Sequence, residues 1–339
     1  MKHWKLTLLA ALTAAALLTG CAGSSAGTAA PEDDRPLVTA TVFPAYDFAR
    51  AVCGELARVE LLLPPGAESH SYEPTPRDIL DVGASALFLY VGGESDAWVE
   101  TLLESVDGGV RSMTLMECVD LAPEETLEGM TAAGHGHDHE AHGDPDDHDA
   151  HSYAAGEHGE GAVLEYDEHV WTAPANAAAI TRAIGERMAL TDPDNAAAYR
   201  ANAAAYAEKL ETLDGEFRDF FSASGAQTMV FGDRFPLRYF ADAYGLACYA
   251  AFPGCSTQTE PSAATVAFLT RKVRQEGLGT VFYIEFSNHL VADSIAEAAG
   301  AQTALFHSCH NVSQAELDAG ATYLSLMERN LETLRAVMG

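Results

Sequence analysis

The sequence predicts an α/β protein of two lobes, each with a mainly parallel sheet flanked by helices and joined by a long rigid helix. Three observations support this prediction. Short apolar runs recur in two sets, helical patterns separate most of them, and an Ala-rich stretch lies between the sets. Strands that are apolar throughout are typical of parallel sheets covered on both faces.

The first 20 residues are predicted to be a signal peptide rather than part of the fold. Lys2 and Lys5 precede an apolar run over 6–18, and Leu18-Thr19-Gly20-Cys21 follows. A basic start, a short apolar stretch and small residues at the cut site are the recognised pattern. The last four residues resemble a bacterial lipobox, which implies cleavage before Cys21 and a lipid on its sulfur. We therefore expect residues 21–35 to be a tether that anchors an extracytoplasmic protein to the bacterial cell membrane.

The remaining chain divides into an N-terminal lobe over 36–173, linking helices over 174–222 and a C-terminal lobe over 223–339. The predicted strands are 37–43, 59–63, 86–91, 228–231, 246–252, 280–284 and 303–306. No proline interrupts 195–221, which predicts a helix of roughly 40 Å at about 1.5 Å per residue. A helix of this length could run along a whole lobe or join two.

A surface insertion is predicted at 131–161 of the N-terminal lobe, between its last predicted strand and the linking helices. Its stretch 135–158 has seven acidic residues, no Lys or Arg, and seven histidines, which are His135, His137, His139, His142, His148, His151 and His158. Imidazole with clustered carboxylate suits weak, exchanging capture of a divalent metal. The alternative is a solvated, disordered loop whose histidines only interrupt an acidic run.

The charge of the chain limits its partners. Against 50 Asp and Glu it has only 19 Lys and Arg, a net charge of −31. Such a surface repels nucleic acid and attracts cations, so no nucleic-acid partner is expected.

Outside the insertion, four side chains that could bind a metal follow predicted strands: His70, Asp233, Glu285 and His307. Ligands of open parallel sheets bind beyond the carboxyl ends of the strands. After His70, Thr75 is expected to cap a helix that begins at Pro76, with Asp78 in its first turn. His169 has acidic neighbours that could orient its second ring nitrogen. The positions predict a metal site between the lobes.

Two segments make a family resemblance specific. Residues 65–76 and 167–176 resemble the N-lobe metal motifs of the zinc and manganese substrate-binding proteins of ABC importers, the ZnuA/TroA-like family. Agreement extends through 240–246, 260–262, 281–287 and 323–334, and so covers essentially the whole mature chain. The resemblance implies that His70 and His169 are N-lobe ligands. An acidic His-rich loop at this place is typical of the zinc branch.

The C-lobe departs from the family pattern. Family members usually have His or Glu after the first C-lobe strand, where Asp233 is the nearest candidate here. The acid of the last metal loop is replaced by His307, with His310 close enough to substitute and Glu285 a further candidate. Three histidines with one carboxylate or water suit zinc, whereas manganese prefers more oxygen.

Five cysteines remain after Cys21, at positions 53, 118, 248, 255 and 309. By resemblance to some zinc-binding members, Cys255 and Cys309 are predicted to form a disulfide. Cys53 and Cys118 could also pair within the first lobe, and Cys248 is interpreted as a core residue.

The predicted function is capture of Zn(II) outside the cytoplasm and its delivery to an ABC permease and its ATPase, by a monomer that is not an enzyme. Alternatives are a Mn(II) or Fe(II) receptor of the same type, a surface zinc lipoprotein or adhesin, and a secreted zinc hydrolase. Glu285 could act as the base of a hydrolase. The chain has no His-Glu-x-x-His, and its Gly-x-Ser-x-Gly at 23–27 lies in the predicted tether rather than at a strand-to-helix turn, which disfavours that class.

Overall fold

The structure is a computed structural model that describes residues 33–67, 72–106, 109–130, 165–254 and 260–339. Cys21, His70, the predicted His-rich insertion and Cys255 lie outside these ranges. Residues 36–339 form one compact unit that contains two four-stranded sheets. In the described part of the chain, no helix combines the length and apolar character needed to cross a membrane.

The N-terminal sheet is parallel throughout and has the strand order β2-β1-β3-β4. Its strands are β1 (Leu37–Ala40), β2 (Arg58–Leu61), β3 (Leu87–Tyr90) and β4 (Ser112–Thr114). The first three confirm predicted strands. The sequence analysis missed β4, because three residues are too few to show a periodic pattern.

The C-terminal sheet repeats this arrangement with the order β6-β5-β7-β8, again all parallel. Its strands are β5 (Thr228–Phe235), β6 (Ala247–Pro253), β7 (Thr280–Tyr283) and β8 (Gln302–Leu305). All four were predicted, with ends that differ by a few residues. In both sheets the carboxyl ends of the parallel strands therefore lie at one edge and lead into loops that can carry ligands.

The helices cover both faces of these sheets. In chain order they are α1 (Phe43–Cys53), α2 (Pro76–Gly83), α3 (Ala97–Ser105), α4 (Pro174–Thr191), α5 (Ala196–Ser224), α6 (Arg238–Tyr244), α7 (Ala263–Gln275), α8 (Leu290–Ala299), α9 (Gln314–Asp318) and α10 (Tyr323–Met338). The predicted cap is confirmed: the Thr75 side chain accepts from Asp78 N–H, and Asp78 accepts from the Thr75 amide. The predicted long helix is α5, whose 29 residues span about 43 Å.

One continuous core joins the lobes. It includes Phe48 of α1, Phe217 of α5 and Phe306 beyond β8, all fully buried. Smaller clusters cover the outer faces, around Phe88 in the first lobe and Val281 in the second. Because each sheet is covered on both faces, its strands are apolar throughout, as the sequence indicates.

Candidate metal centre

His169 lies immediately before a 3-10 turn, Val170–Thr172, that leads into α4. Its side chain is 1% exposed. Asp167 Oδ1 accepts a hydrogen bond from the His169 amide at 2.8 Å and lies 3.1 Å from Nδ1 of the ring. The carboxylate therefore favours the proton on Nδ1, which leaves the lone pair on Nε2 for a metal.

The electrostatics around His169 are acidic. Burial acts against its charged form, yet the pKa of His169 is raised, because Asp167, Glu168 and Glu124 together favour the cation. The same negative potential would favour a divalent ion at the imidazole.

Glu285 follows β7 at the facing edge of the C-terminal sheet and is 9% exposed. Ser308 donates to it twice, from its amide to Oε2 at 2.7 Å and from its hydroxyl to Oε1 at 2.5 Å. The amide of His310 also donates to Oε1, at 3.2 Å. Since a carboxylate has about four lone-pair sites, these three bonds fix Glu285 and leave it able to bind a cation.

His310 brings the C-lobe to His169. The two imidazoles lie 5.4 Å apart between ring centroids, at an angle of 80°. The indole of Trp171 lies 5.1 Å from the His310 ring and donates from Nε1 to the carbonyl of Ser308 at 2.9 Å. The loop after β8 is thus packed against the segment that carries His169.

A small cleft opens between these groups. Besides His169, Glu285 and His310, its walls include Ala67, Arg234, Gly254, Phe286, Ser308 and Asn311. A Cβ at Gly254 would lie 3.2 Å from Cε1 of His169 and 2.9 Å from the carbonyl oxygen of Phe235. The absence of a side chain at Gly254 therefore leaves room for the imidazole.

Two other predicted ligands do not line the cleft, although Nδ1 of His307 lies 3.6 Å from the Glu285 carboxylate. His307 is 3% exposed; its Nδ1 accepts from the Cys309 amide at 2.9 Å, and its Nε2 lies 3.9 Å from Glu316. Asp233 accepts from the amides of Arg234 and Ile284, at 2.8 and 3.2 Å. Neither side chain is among the described residues that line the cleft.

The remaining expectations reach beyond the described residues. His70, the insertion histidines and Cys255 lie outside them. Cys309 is a buried free thiol, and Cys53, Cys118 and Cys248 are free as well. A disulfide between Cys53 and Cys118, which the sequence analysis considered, is therefore wrong. Among the described ranges, no three His, Cys, Asp or Glu side chains are grouped closely enough to hold a metal ion.

Ser308 and Asn311 were missed by the sequence analysis. Ser308 holds the Glu285 carboxylate, and Asn311 forms hydrogen bonds to the N-lobe. Their only signal in the sequence is their position beside His307 and His310, since Ser and Asn are frequent in any loop.

Comparisons with known proteins identify the family to which the chain is similar. Residues 38–337 match the family model described as zinc-uptake complex component A, periplasmic. The zinc-binding lipoprotein AdcA of Streptococcus pneumoniae is 30% identical over 98% of the chain, which spans about 60% of that relative's length. The high-affinity zinc uptake system protein ZnuA of Bacillus subtilis is 29% identical, with 94% of this chain and 93% of the relative covered.

The fold also matches a solved structure. The Zn(II)-bound ZnuA-like domain of S. pneumoniae AdcA superposes with a TM-score of 0.69 and 26% identity, over 90% of this chain and 99% of that one.

Proposed function

The chain belongs to the zinc-uptake complex component A family, and from this premise we propose that it captures Zn²⁺ outside the cytoplasm for import. The observation that carries the proposal is the approach of His169 and His310, which come from different lobes and lie 5.4 Å apart between ring centroids. This family consists of transport receptors rather than enzymes, so we propose binding and release without chemistry on the metal.

We propose that a bound Zn²⁺ draws together His70 and His169 of the N-lobe with His310 and Glu285 of the C-lobe, whose described members are not grouped closely enough to hold it in this structure. His307 was expected to be the main C-lobe ligand, but its surroundings favour His310, which lines the cleft. Asp233 is omitted because it is not among the described residues that line the cleft. Three imidazoles and one carboxylate suit tetrahedral zinc better than Mn²⁺.

Isothermal titration of the mature protein with Zn²⁺ tests this proposal. We expect one tight site that His169→Ala, His310→Ala and His70→Ala each weaken. The control is His289→Ala, since His289 is an exposed histidine of the same lobe as His310, paired with Asp293. Tight binding that survives both His169→Ala and His310→Ala would show that the cleft is not the site.

Metal preference needs its own measurement. Competition between Zn²⁺ and Mn²⁺ for the purified protein should favour zinc strongly, because imidazole is a better ligand for zinc than for manganese. Preference for Mn²⁺ would support the alternative receptor type.

The seven histidines over 135–158 are proposed as auxiliary, weaker sites that raise the local Zn²⁺ concentration. Deleting residues 135–158 should remove these sites from the titration and leave the tight site in place. Loss of the tight site in this variant would contradict the separation of the two roles.

We further propose that the receptor is held at the membrane through a lipid on Cys21 and delivers its cation to an ABC permease with its ATPase. Cys21→Ser should release the protein from the membrane fraction. Cells that carry only His169→Ala should grow poorly when zinc is scarce and recover when Zn²⁺ is added. Unchanged zinc accumulation in these cells would contradict delivery by this chain.

A further inference from the structure

Asn311 joins the two walls of the cleft. It directly follows His310 and is 3% exposed. Its Nδ2 donates two hydrogen bonds to the N-lobe, to the carbonyl of Pro64 at 2.8 Å and to that of Ala67 at 2.9 Å. A third bond beside them runs from the Gly66 amide to the Val312 carbonyl, at 2.9 Å.

These bonds connect elements that carry opposite sides of the site. Ala67 and Asn311 both line the cleft, from the loop after β2 and the loop after β8 respectively. Oδ1 of Asn311 accepts from the Val312 amide at 2.8 Å, which fixes the orientation of the side-chain amide. Every polar atom of the Asn311 side chain is therefore used, with both N–H groups directed across the lobe boundary.

We propose that Asn311 is a positioning residue that clasps the two cleft walls and slows the escape of the captured cation. This inference rests on the proposed Zn²⁺ binding and adds to it the residue that controls release. Asn311 does not itself bind the metal. Its two bonds must break before the loop at Pro64–Ala67 can separate from the loop that carries His310, so they oppose opening of the cleft.

Two substitutions remove the donors in different ways. Asn311→Asp keeps the size and the acceptor for Val312 N–H but cannot donate to the two carbonyls. Asn311→Leu removes the donors without adding charge. Since a net hydrogen bond is worth about 1 kcal/mol and 1.4 kcal/mol is tenfold, losing two should speed release of Zn²⁺ by at least about tenfold.

The matched control is Asn202→Leu. Asn202 lies on α5, away from the cleft lining, and its Nδ2 likewise donates to a distant backbone carbonyl, that of Val52 at 3.0 Å. This substitution removes a comparable bond, so it should lower the unfolding temperature without changing the rate of Zn²⁺ release.

The experiment measures Zn²⁺ release by stopped flow into an excess of chelator, with the mature protein and these three variants. The Co²⁺ absorption spectrum of each variant reports the ligand set, which both Asn311 variants should leave unchanged. Hydrogen exchange at the Gly66 amide should become faster in both. The inference would be overturned if both Asn311 variants released Zn²⁺ at the wild-type rate, or if Asn202→Leu sped release as much as they do. A wild-type protein without a tight Zn²⁺ site would instead overturn the proposed function.

Discussion

The Asp167 carboxylate contacts His169 at two points. Its Oδ1 accepts from the His169 backbone amide at 2.8 Å and lies 3.1 Å from Nδ1 of the His169 ring. Both groups are buried, and the hydroxyl of Tyr239 donates to the Asp167 carbonyl at 2.8 Å. A C-lobe side chain thereby supports the residue that orients an N-lobe imidazole.

Asp167→Asn should weaken Zn²⁺ binding about tenfold or more, the usual cost of losing an outer partner of a metal-bound histidine. The amide can no longer supply the negative charge that makes the imidazole a better ligand. Asp293→Asn is the matched control, because Asp293 lies 2.8 Å from Nδ1 of the exposed His289. Competition with a chelator measures the Zn²⁺ affinity of both variants. Equal affinities of Asp167→Asn and wild type would contradict this role.

His307→Asn should bind Zn²⁺ nearly as tightly as the wild type. The asparagine oxygen can replace Nδ1 as acceptor for the Cys309 amide, which keeps the loop in place. His310→Asn should cost more than the roughly 10- to 100-fold typical of an outer partner. The same competition titration ranks the two, and the reverse order would identify His307 as the ligand.

Tyr206→Phe should destabilise the fold by about 2 kcal/mol, because it removes a hydrogen bond to a buried charged group. Its hydroxyl donates to Asp47 Oδ2 at 2.7 Å, and the same oxygen accepts from the Tyr323 amide at 2.9 Å. Tyr199→Phe on the same helix is the control, since its hydroxyl bonds the less buried Asp192. Urea unfolding should show the larger loss for Tyr206→Phe, and equal losses would contradict the role of burial.

Asp96→Asn should make stability less dependent on pH. Burial raises the pKa of Asp96 to about 6, against backbone hydrogen bonds from Gly92 and Val91 that lower it, and the charge of Glu168 adds to the rise. The folded protein therefore binds this proton more tightly than the unfolded chain. This proton therefore stabilises the fold at low pH. The free energy of unfolding falls by up to about 3 kcal/mol as the pH rises from about 4 through 6.

The amide oxygen of Asn can still accept from Val91 and Gly92, which both donate to one oxygen of Asp96, at 2.7 and 3.0 Å. Urea unfolding at pH 5 and pH 8 measures the effect, with the exposed Asp219→Asn as control. If the free energy of unfolding of Asp96→Asn changed between pH 5 and pH 8 as much as that of the wild type, the prediction would be contradicted.

Much of the fold could be predicted because its signals are local. The start of α2 is predicted by the capping residues Thr75 and Asp78 and by Pro76 in the first turn. The proline-free stretch before Gly225 predicts α5. In the site, the position after a strand made Glu285 a candidate, as it did Asp233 and His307, and the acidic neighbours of His169 with the family resemblance predicted a ligand there; these assignments stay predictions.

The choice between His307 and His310 could not be made from sequence. Between them, Cys309 has a φ of +62°, a conformation that residues other than glycine rarely adopt. That backbone turn contributes to the different surroundings of the two imidazoles. Nothing in the composition of the loop indicates it, because the conformation depends on contacts with Trp171, Glu285 and Asn330.

The antiparallel bridge between Pro123 and Tyr166 has a consequence for engineering. Beside it, the Glu124 amide donates to the Glu165 carbonyl at 2.9 Å, so the chain departs from the first lobe and returns to it at one place. Because the entropy of closing a loop grows only with the logarithm of its length, peptides of very different size could be grafted in place of residues 131–164, while 124–130 keep contacts such as the ion pair of Glu125 with Arg238. This position would accept a fluorescent reporter or an affinity tag in place of the native histidines.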